Sequence, residues 1–358
     1  MDGNGPQKPS PCRKLVPFLL FQVILGTVFF AYIRNGMLSE PGAFGPFALL
    51  GNSSAPEKTH PTLTILLWTW PFGARFVIKN CSQLMGTPDC FITADRRWIH
   101  AADAVVVHHP DVSQSRRQLP QGPRPPFQRW VWFNLESPSH TPNLGFMDNY
   151  FNLTMSYRRD SDIFTPYGWL ETLAEPRNVT IPEKSKLVAW VVSNWKHSSP
   201  RVKYYKKLRS YIPVDVYGRR HVPLPRDKHL STLSQYKFYL AFENSVHEDY
   251  ITEKLWRNSL LSSTVPVVCG PPRKNYERYL PPDSFIHIED FPTAQGLANF
   301  LLELDRDPVR YRNYFQWRRW LKPVGDLGWA IQLCKACKVL QEKPVHYQTV
   351  GELSKWFT

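Results

Sequence analysis

The chain is poor in acidic residues, in cysteine and in long apolar runs. It has 30 aspartate and glutamate residues against 44 lysine and arginine residues, so its formal net charge is +14 over 358 residues. This excess favours an acidic partner, which could be nucleic acid, anionic lipid or a phosphorylated small molecule. The basic residues are scattered, and neither a nucleic-acid motif nor an internal repeat is visible. Together with the membrane targeting described next, this argues against a nucleic-acid partner.

The one long run without charge covers residues 15–33 and predicts a membrane anchor. Only Gln22 and Thr27 interrupt its apolar character, and about 20 apolar residues suffice to cross a bilayer as a helix. Basic residues lie mainly before the run, which favours a cytosolic N-terminus. Residues 31–34 form a poor cleavage site, so a type II signal anchor is preferred over a cleaved signal peptide. Residues 1–14 are then a cytosolic tail.

Residues 34–60 are rich in glycine, proline, serine and asparagine, and predict a flexible stem before a lumenal body. N-glycosylation sequons begin at Asn52, Asn152 and Asn178, and a weaker one, with cysteine in the middle, begins at Asn80. Sequons also arise by chance, but after a signal anchor they support a lumenal location.

The chain has only six cysteines, and their spacing argues against zinc. Cys12 lies in the predicted tail, whereas Cys81, Cys90, Cys334 and Cys337 lie in the predicted lumenal body. The last two could form half of a zinc site or a redox pair, but the first two have the wrong spacing for the other half of a zinc site. In an oxidising lumen disulfides are favoured, and the sequence alone leaves three pairings open. The remaining Cys269 is expected to be a buried free thiol.

Apolar runs separated by mixed segments predict two sequential α/β domains. Residues 62–68, 104–107 and 130–133 predict strands of a largely parallel sheet in a first domain, residues 61–180. Residues 187–193, 214–217, 236–242, 265–272 and 285–288 predict strands of a second domain, residues 181–325, with helices near 202–211, 294–304 and 310–320. Residues 326–358 form a C-terminal segment.

The stretch from Tyr236 to Pro272 predicts strand, turn, helix and strand. Asp249 is a candidate N-cap, and Lys254 falls in the first turn of the predicted helix. Ligands of such units lie beyond the carboxyl ends of the strands, and a helix N-terminus attracts anions. The stretch therefore indicates an anion site, although a structural βαβ unit with solvated Glu253 and Lys254 fits the same pattern.

Several long segments of the chain carry distinctive motifs. They are Phe242-Glu243-Asn244-Ser245 with Asp249-Tyr250-Ile251-Thr252-Glu253-Lys254, Glu136-Ser137-Pro138-Ser139-His140, Tyr157-Arg158-Arg159-Asp160-Ser161-Asp162-Ile163, and Trp190-Val191-Val192-Ser193-Asn194-Trp195. These segments resemble those of the animal α1,3/4-fucosyltransferases. They occur in that family's order, and the resemblance covers about residue 61 to the end. It implies a GT-B fold, in which two Rossmann-like domains face each other.

The resemblance also implies roles for individual residues. Glu136 would be the general base that deprotonates the attacking hydroxyl; without the resemblance it would be read as a solvated carboxylate. Arg201 and Lys254 would meet the donor diphosphate. Further donor contacts would come from Tyr239, Asn244, Glu253, Val191, Ser193 and Asn194, and acceptor contacts from Trp70, Phe72 and Asp95. The implied disulfides are Cys81–Cys334 and Cys90–Cys337, which would tie the C-terminal segment to the first domain.

Two Asp-x-Asp triplets could bind a divalent cation with a sugar nucleotide. The first, Asp160-Ser161-Asp162, belongs to a family segment, and the second, Asp305-Arg306-Asp307, lies at a predicted helix end. Both are read as structural, because the family is largely metal-independent and two cations already serve the diphosphate. His108-His109 lacks an apparent third ligand and is also read as structural. No metal and no other cofactor is expected.

The expectation that follows is a Golgi type II α1,3-fucosyltransferase. It would transfer L-fucose from GDP-β-L-fucose to the 3-hydroxyl of GlcNAc in N-acetyllactosamine-type glycans, Galβ1-4GlcNAc, with inversion, giving Lewis x and sialyl Lewis x epitopes. Thr141-Pro142-Asn143 lacks the aromatic residue of dual-specificity members, which disfavours α1,4 transfer. The rivals are a metal-dependent transferase and a lumenal carbohydrate-binding protein. A homodimer is compatible with the sequence.

Overall fold

The computed structural model describes residues 62–325, 328–343 and 348–358. Its first sheet has the strand order β2-β1-β3-β4-β5-β6, and every adjacent pair is parallel. Parallel sheets are covered on both faces, so their strands are continuous apolar runs; β3 is buried along its whole length. The strands are β1 Thr64–Leu67, β2 Phe91–Thr93, β3 Ala104–His108, β4 Arg129–Asn134, β5 Leu153–Ser156 and β6 Ile163–Phe164.

The second sheet has the order β12-β11-β10-β8-β9 and is also parallel throughout. A separate antiparallel ribbon pairs β7 with β13. The two parallel sheets fall within the two ranges that the sequence predicts for α/β domains. The strands are β7 Gly168–Thr172, β8 Lys186–Val191, β9 Asp215–Tyr217, β10 Tyr236–Phe242, β11 Val265–Cys269, β12 Ile286–His287 and β13 Leu321–Gly325.

Helices fill the connections between the strands. The α-helices are Cys81–Met85, His109–Val112, Pro200–Leu208, His229–Leu233, Glu253–Leu255, Arg273–Tyr276, Ala294–Arg306, Pro308–Asn313, Gly328–Glu342 and Leu353–Phe357. Glu253–Leu255 continues as a π-helix, Trp256–Leu261. Short 3-10 helices are Pro71–Gly73, Arg96–His100, Arg116–Gln118, Pro138–His140, Leu144–Met147, Ile288–Asp290 and Gln316–Arg319.

The helix that follows β10 begins later than the sequence predicts. Its N-cap is Thr252, whose hydroxyl accepts from the Lys254 N–H, so the prediction of Asp249 as N-cap is wrong. Asp249 instead has a left-handed backbone (φ 62°), and its carboxylate accepts hydrogen bonds from Asn275 and from the Arg159 N–H. The carboxylate is thus used by long-range partners that no local pattern reveals.

The C-terminal segment returns to the first sheet. Disulfides join Cys81 to Cys334 and Cys90 to Cys337, as the family resemblance implies. Further along, the Val350 N–H donates to the Phe151 carbonyl at 2.8 Å. This pairing fastens the end of the chain alongside β5.

The membrane anchor (15–33), the tail (1–14), the stem (34–60) and the Asn52 sequon lie outside the described residues. Within the described residues, no helix is long and apolar enough to cross a bilayer.

The sequons that lie within the described residues have different surroundings. Asn178 and Asn80, which begins the weaker sequon, are exposed. Asn152 is 3% exposed; its Oδ1 accepts from the Trp130 N–H and from Arg124, and its Nδ2 donates to the Gln348 carbonyl at 2.7 Å. At each of these positions, glycosylation stays a prediction.

Candidate active site

The loops that follow β4 and β10 touch each other. The hydroxyls of Ser137, after β4, and Ser245, after β10, lie 2.7 Å apart. Beside them, Ser139 Oγ lies 2.7 Å from Nε2 of His247. These contacts bring the carboxyl ends of the two sheets together, where ligands of open α/β sheets bind.

Glu136 stands at this junction. Its backbone N–H donates to the side chain of the fully buried Asn134 at 3.0 Å, which fixes the turn after β4. Asn134 also donates to Thr141 at 2.9 Å, so the loop closes on itself. Among the described residues, the half-buried Glu136 carboxylate has neither a hydrogen bond nor an ion pair. A carboxylate held by a rigid backbone and left unpaired is available to accept a proton.

Lys254 lies across the junction, at the start of its helix. Its Nζ is 3.1 Å from Glu243 and 3.1 Å from Glu253, and it donates to the Thr252 hydroxyl at 2.8 Å. Although burial opposes it, Glu243 and Glu253 raise the pKa of Lys254 above its ordinary value. The ammonium is therefore charged at neutral pH.

Glu243 is a site residue to which the sequence analysis gave no role. It is 4% exposed, and its carboxylate accepts from both the N–H and the hydroxyl of Thr252. Burial raises the pKa of Glu243, whereas Lys254 and Thr252 oppose the rise because they favour the charged form. Since every one of these partners is a donor, the paired carboxylate is the state that fits the geometry. Glu243 thereby fixes both the cap of the helix and the position of Lys254.

Arg201 is the second predicted diphosphate cation. It occupies the second position of Pro200–Leu208 and is 5% exposed. Its Nη2 donates to the Asn194 carbonyl at 2.8 Å and its Nη1 to the Phe242 carbonyl at 3.2 Å. Burial lowers the pKa of Arg201, and Glu243 opposes this shift. Through these two hydrogen bonds the guanidinium joins the loop after β8 to the end of β10.

The loop after β8 carries three predicted donor contacts. Val191 is half-buried at the strand end, whereas Ser193 and Asn194 are exposed. Gly218 lies against this loop with φ 131°, and a Cβ there would come within 2.1 Å of the Val192 carbonyl oxygen. Only glycine permits this approach, so the turn after β9 supports the position of the loop.

Tyr239 does not lie in the cleft. It is 0% exposed within β10, and its hydroxyl accepts a hydrogen bond from Asn258 at 3.0 Å. The structure thus contradicts the prediction that the Tyr239 side chain binds the donor. Asn244 and Glu253 do reach the junction: Asn244 Oδ1 is 3.0 Å from the Ser245 hydroxyl, and Glu253 pairs with Lys254.

Tyr250 is the aromatic residue that faces the charged groups. Burial raises its pKa, and the negative charges of Glu243 and Glu136 raise it further. Its ring packs edge-on against Tyr157 with centroids 5.1 Å apart. Its neutral hydroxyl has no hydrogen-bond partner among the described residues and can donate to a ligand. Tyr250 belongs to one of the family segments, but no role was predicted for it, because the polar residues around it carry no signal that separates it from Tyr239.

The predicted acceptor residues have different surroundings. Trp70 is half-buried and packs edge-on against Phe76, whereas Phe72 is 57% exposed. Asp95 caps the 3-10 helix that follows it and pairs with Arg97 at 2.6 Å, so its carboxylate is already occupied.

A cavity of about 500 Å³ opens beside these residues, at the carboxyl ends of β1 and β3. Arg96 stacks over Trp68 in its wall, with the guanidinium carbon 4.0 Å from the ring centroid. The Phe72 N–H donates to Asp111, another wall residue, at 3.1 Å. The cavity is thus continuous with the segment that was predicted to bind the acceptor.

Both Asp-x-Asp triplets are used in the fold. Asp160 pairs with Arg158, and Asp162 accepts hydrogen bonds from Thr154. Asp305 pairs with Lys237, and Asp307 caps the helix Pro308–Asn313. In the described part of the chain, no group of three or more potential metal ligands was found.

The histidine pair and Cys269 also have structural surroundings. His108 is paired with Asp111 at 2.7 Å, and burial lowers the pKa of His109 to about 4. His109 lies 3.0 Å from the Pro142 carbonyl oxygen. Cys269 is free, and burial raises the pKa of its thiol to about 12. A neutral thiol is a poor nucleophile. The thiol is free as predicted, although Cys269 is half-buried rather than fully buried.

Two parallel α/β sheets whose carboxyl ends meet, with a carboxylate and a cation-bearing helix at the junction, have the arrangement of the GT-B-like class of α/β proteins. Solved structures share the fold. A crystal structure titled alpha1,3-fucosyltransferase is 18% identical, with a TM-score of 0.54 over 84% of this chain and 95% of that chain. Another, with GDP-fucose, has the same identity and TM-score over 86% and 96%. At this identity they establish the fold alone.

Sequence comparison defines the family. The model "Fucosyltransferase, N-terminal" matches residues 60–168, and "Glycosyltransferase family 10 (fucosyltransferase) C-term" matches residues 181–356. Three Homo sapiens relatives cover all of this chain and of themselves. They are 3-galactosyl-N-acetylglucosaminide 4-alpha-L-fucosyltransferase FUT3 (52% identical) and the 4-galactosyl-N-acetylglucosaminide 3-alpha-L-fucosyltransferases FUT6 (51%) and FUT5 (50%). The chain belongs to glycosyltransferase family 10 and is a fucosyltransferase.

Proposed function

We propose that this fucosyltransferase transfers L-fucose from GDP-β-L-fucose to the 3-hydroxyl of GlcNAc in Galβ1-4GlcNAc glycans, with inversion, and so makes Lewis x type epitopes. The names of the FUT5 and FUT6 relatives support 3-transfer. The observation that carries the proposal is the Glu136 carboxylate, which has no partner among the described residues and lies at the junction of the sheets, where Lys254 pairs with Glu243 and Glu253. Sialylated forms of the same acceptor are included, since the disaccharide recognised is unchanged.

In this mechanism Glu136 takes the proton from the GlcNAc 3-hydroxyl. The oxygen attacks C1 of fucose from the face opposite to the phosphate, so the C1–O bond to the β-phosphate breaks as the new bond forms. A fixed carboxylate at the attacking oxygen is general-base catalysis, which typically contributes 10²–10⁴-fold. The rigid turn through Asn134 supports this role, because it fixes the backbone that carries the base.

Departing GDP gains negative charge, which fixed cations stabilise. Lys254 is charged, and Arg201 stands in the first turn of its own helix. We propose that the diphosphate replaces part of their present contacts, taking the place of the carbonyls bound to Arg201. Tyr250 has a free donor to add. With these groups present the reaction needs no divalent metal.

The regiochemistry has a second candidate. The FUT3 relative is named as a 4-alpha-L-fucosyltransferase and is 52% identical, so transfer to the 4-hydroxyl of GlcNAc in Galβ1-3GlcNAc is the alternative product. We favour the 3-hydroxyl because Thr141-Pro142-Asn143 carries no aromatic residue. Thr141 is buried, and its hydroxyl donates to the Ser137 carbonyl at 2.8 Å.

We propose further that the protein is a single-pass type II membrane protein of the Golgi, with the described residues in the lumen. Two disulfides that lie far apart in sequence support an oxidising compartment. The uncharged run at 15–33 supports an anchor. Its partners are then GDP-fucose, acceptor glycans on glycoproteins and glycolipids, and the membrane itself. A homodimer is a candidate state, and light scattering on the purified protein measures it.

The test uses the full-length chain, purified in detergent and incubated with GDP-fucose, N-acetyllactosamine and excess EDTA. Wild type should form the α1,3-linked product, identified by NMR of the trisaccharide. Glu136→Gln should lose at least about 100-fold in kcat. Exposed Glu183→Gln is the matched control and should keep the wild-type rate.

Three results would contradict parts of the proposal. A requirement of the wild type for Mn²⁺ would reinstate a metal site. A near-wild-type rate for Glu136→Gln would move the base elsewhere. Transfer only to Galβ1-3GlcNAc would favour the alternative product.

A further inference from the structure

A second cavity lies away from the candidate active site, at the far end of the helix that carries Lys254. It has a volume of about 370 Å³. Its walls come from the link between the two sheets (177–180), from the end of the π-helix (260–263), from the 3-10 helix Gln316–Arg319 and from β13. None of the reactive groups described above lines it.

The charges in this cavity are all of one sign. Arg177, Arg318 and Lys322 line it, and no acidic residue in the described part of the chain does. Arg177 and Arg318 are held together, since the Arg177 Nε donates to the Arg318 carbonyl at 3.1 Å. The carboxylate nearest to a wall cation is Glu171, 3.6 Å from Lys322, and both of these side chains are about half exposed. A surface pair of this kind neutralises little.

Arg318 is the buried member and is 8% exposed. Its Nη2 donates to the Leu260 carbonyl, which satisfies one carbonyl at the end of the π-helix. Its Nε has no partner among the described residues, and its Nη1 has none there either. Burial, together with Arg177, lowers the pKa of Arg318 to about 10. Capping the helix uses one N–H of this guanidinium. Its carbon lies 4.6 Å from the ring centroid of Trp317 and 5.7 Å from that of Phe315, and these rings offset part of the charge. Among the described residues no carboxylate pairs with it.

Lys184, a neighbour of Arg318, is affected by the same local excess of positive charge. Lys184 donates to the carbonyls of Ser234 and Ser263, and burial and Arg318 lower its pKa to about 7. A helix C-terminus carries roughly half a unit of negative charge, which favours a cation there. Arg318 and Lys184 both bind carbonyls here, while the exposed Arg177 and Lys322 add further positive charge at the cavity wall. A buried cation that no anion pairs is costly, as for Arg318, and an anionic ligand would lower this cost.

We propose that this cavity binds an anionic sugar residue, one bearing a carboxylate or a sulfate ester. Guanidinium groups pair with such oxyanions through charge-assisted hydrogen bonds. Apolar walls from Val179, Leu260 and Pro323 suit the apolar face of a sugar ring. The cavity, at about 370 Å³, is larger than a bare oxyanion needs, so it has room for a sugar ring. The choice of a sugar rests on the proposed action on glycans; the choice of an anion rests on the cavity alone.

The ligand has two possible sources, because Asn178 itself lines the cavity. A glycan on that asparagine would begin at the rim and could place an acidic sugar inside, or the sugar could belong to a separate glycan. In both cases the site recognises the same chemistry.

The experiment measures binding to the full-length chain in detergent by calorimetry, at low salt and without GDP-fucose. The probes are methyl α-N-acetylneuraminide and methyl β-D-galactoside 3-sulfate, neither of which carries the GlcNAc hydroxyls that accept fucose. The neutral control is methyl β-D-galactoside. We expect dissociation constants near about 1 mM for the anions, with weaker binding at about 0.5 M salt. The neutral sugar should not bind measurably.

The variant Arg177→Gln/Lys322→Gln should weaken anion binding at least about 10-fold. Both residues are exposed, so the variant should fold. Exposed Arg219→Gln/Arg220→Gln, in the same sheet's loops, removes equal charge and should leave binding within about 2-fold. Arg318→Gln should abolish binding, and its near-ultraviolet circular dichroism reports whether it folds.

Asn178→Gln distinguishes the sources: unchanged binding indicates a separate glycan, and binding seen only in this variant indicates that its own glycan occupies the cavity. Equal binding of the neutral sugar, no loss in the Arg177/Lys322 variant, or no anion binding in wild type and Asn178→Gln would overturn the inference. Fucose transfer, measured on the same preparations, separates such a failure from a failure of the proposed function.

Discussion

Removing either disulfide alone should lower the free energy of unfolding much less than removing both. Cys81–Cys334 spans 253 residues and Cys90–Cys337 spans 247, so each closes almost the same loop. In the chain-entropy model a loop of this length restricts the unfolded chain by about 5.5 kcal/mol at about 25 °C. With one bridge in place, the other closes only the small ring of residues 81–90 and 334–337, about 14 residues, which contributes about 3 kcal/mol.

The paired variants Cys81→Ala/Cys334→Ala and Cys90→Ala/Cys337→Ala should therefore each lower the free energy of unfolding by about 3 kcal/mol, and the quadruple variant by about 8.5 kcal/mol. Alanine at both ends leaves no free thiol to form a new bridge. Equilibrium urea unfolding of the full-length chain in detergent, followed by tryptophan fluorescence without reductant, gives the three values.

The decisive quantity is the difference between the quadruple variant and the sum of the two paired variants, about 2.5 kcal/mol in this account. If the quadruple variant loses only that sum, the bridges do not share one loop constraint and the reasoning is refuted. If each paired variant loses about 5.5 kcal/mol, the bridges act independently, and the same conclusion follows.

Three further predictions concern single residues. Ser245→Ala breaks the hydroxyl contact to Ser137 beside the base. We expect kcat to fall several-fold while KM for GDP-fucose stays nearly unchanged, and we expect Ser245→Thr to restore kcat. A change in KM alone would contradict a positioning role. Tyr239→Phe removes the hydroxyl that accepts from the Asn258 Nδ2 group. This should lower the free energy of unfolding by about 1–3 kcal/mol, measured by urea unfolding. An increased KM for GDP-fucose without loss of stability would return Tyr239 to the donor site. His109 has its pKa lowered by burial from 6.5 to about 4, so the unfolded chain takes up a proton between these pH values before the folded chain does. Stability should then fall as pH drops from about 6.5 to about 4, by up to about 3 kcal/mol from this group, and a His109→Gln variant with an equally steep decline would show that other groups cause it.

The sequence was sufficient for features that depend on neighbouring residues or on long ordered motifs. Strand β10 begins and ends where its aromatic run does, at Tyr236 and Phe242, because a buried strand needs an uninterrupted apolar segment. The pairing of cysteines came from the family resemblance, and the structure confirms it. The position of Lys254 in the first turn of its helix followed from local periodicity.

The sequence was insufficient where a side chain's partner lies far along the chain. Tyr239 and Tyr250 flank the same motif, yet Asn258 holds one in the core while the other faces Glu136. The sequon at Asn152 satisfies the local pattern for a glycan, but nothing in that pattern shows that its side-chain amide donates to the carbonyl of Gln348, 196 residues away.

The sequence by itself determined two α/β units, the order of the motifs and the family of the protein, since these depend on hydrophobic periodicity and on long matches in register. Only the tertiary structure decided which polar groups are paired. It left the Glu136 carboxylate without a partner among the described residues, held Lys254 between two carboxylates, and gathered Arg177, Arg318 and Lys322 around one cavity. The physical reason is that hydrogen bonding and charge compensation are set by distances in space, which separate segments establish only when the sheets pack together.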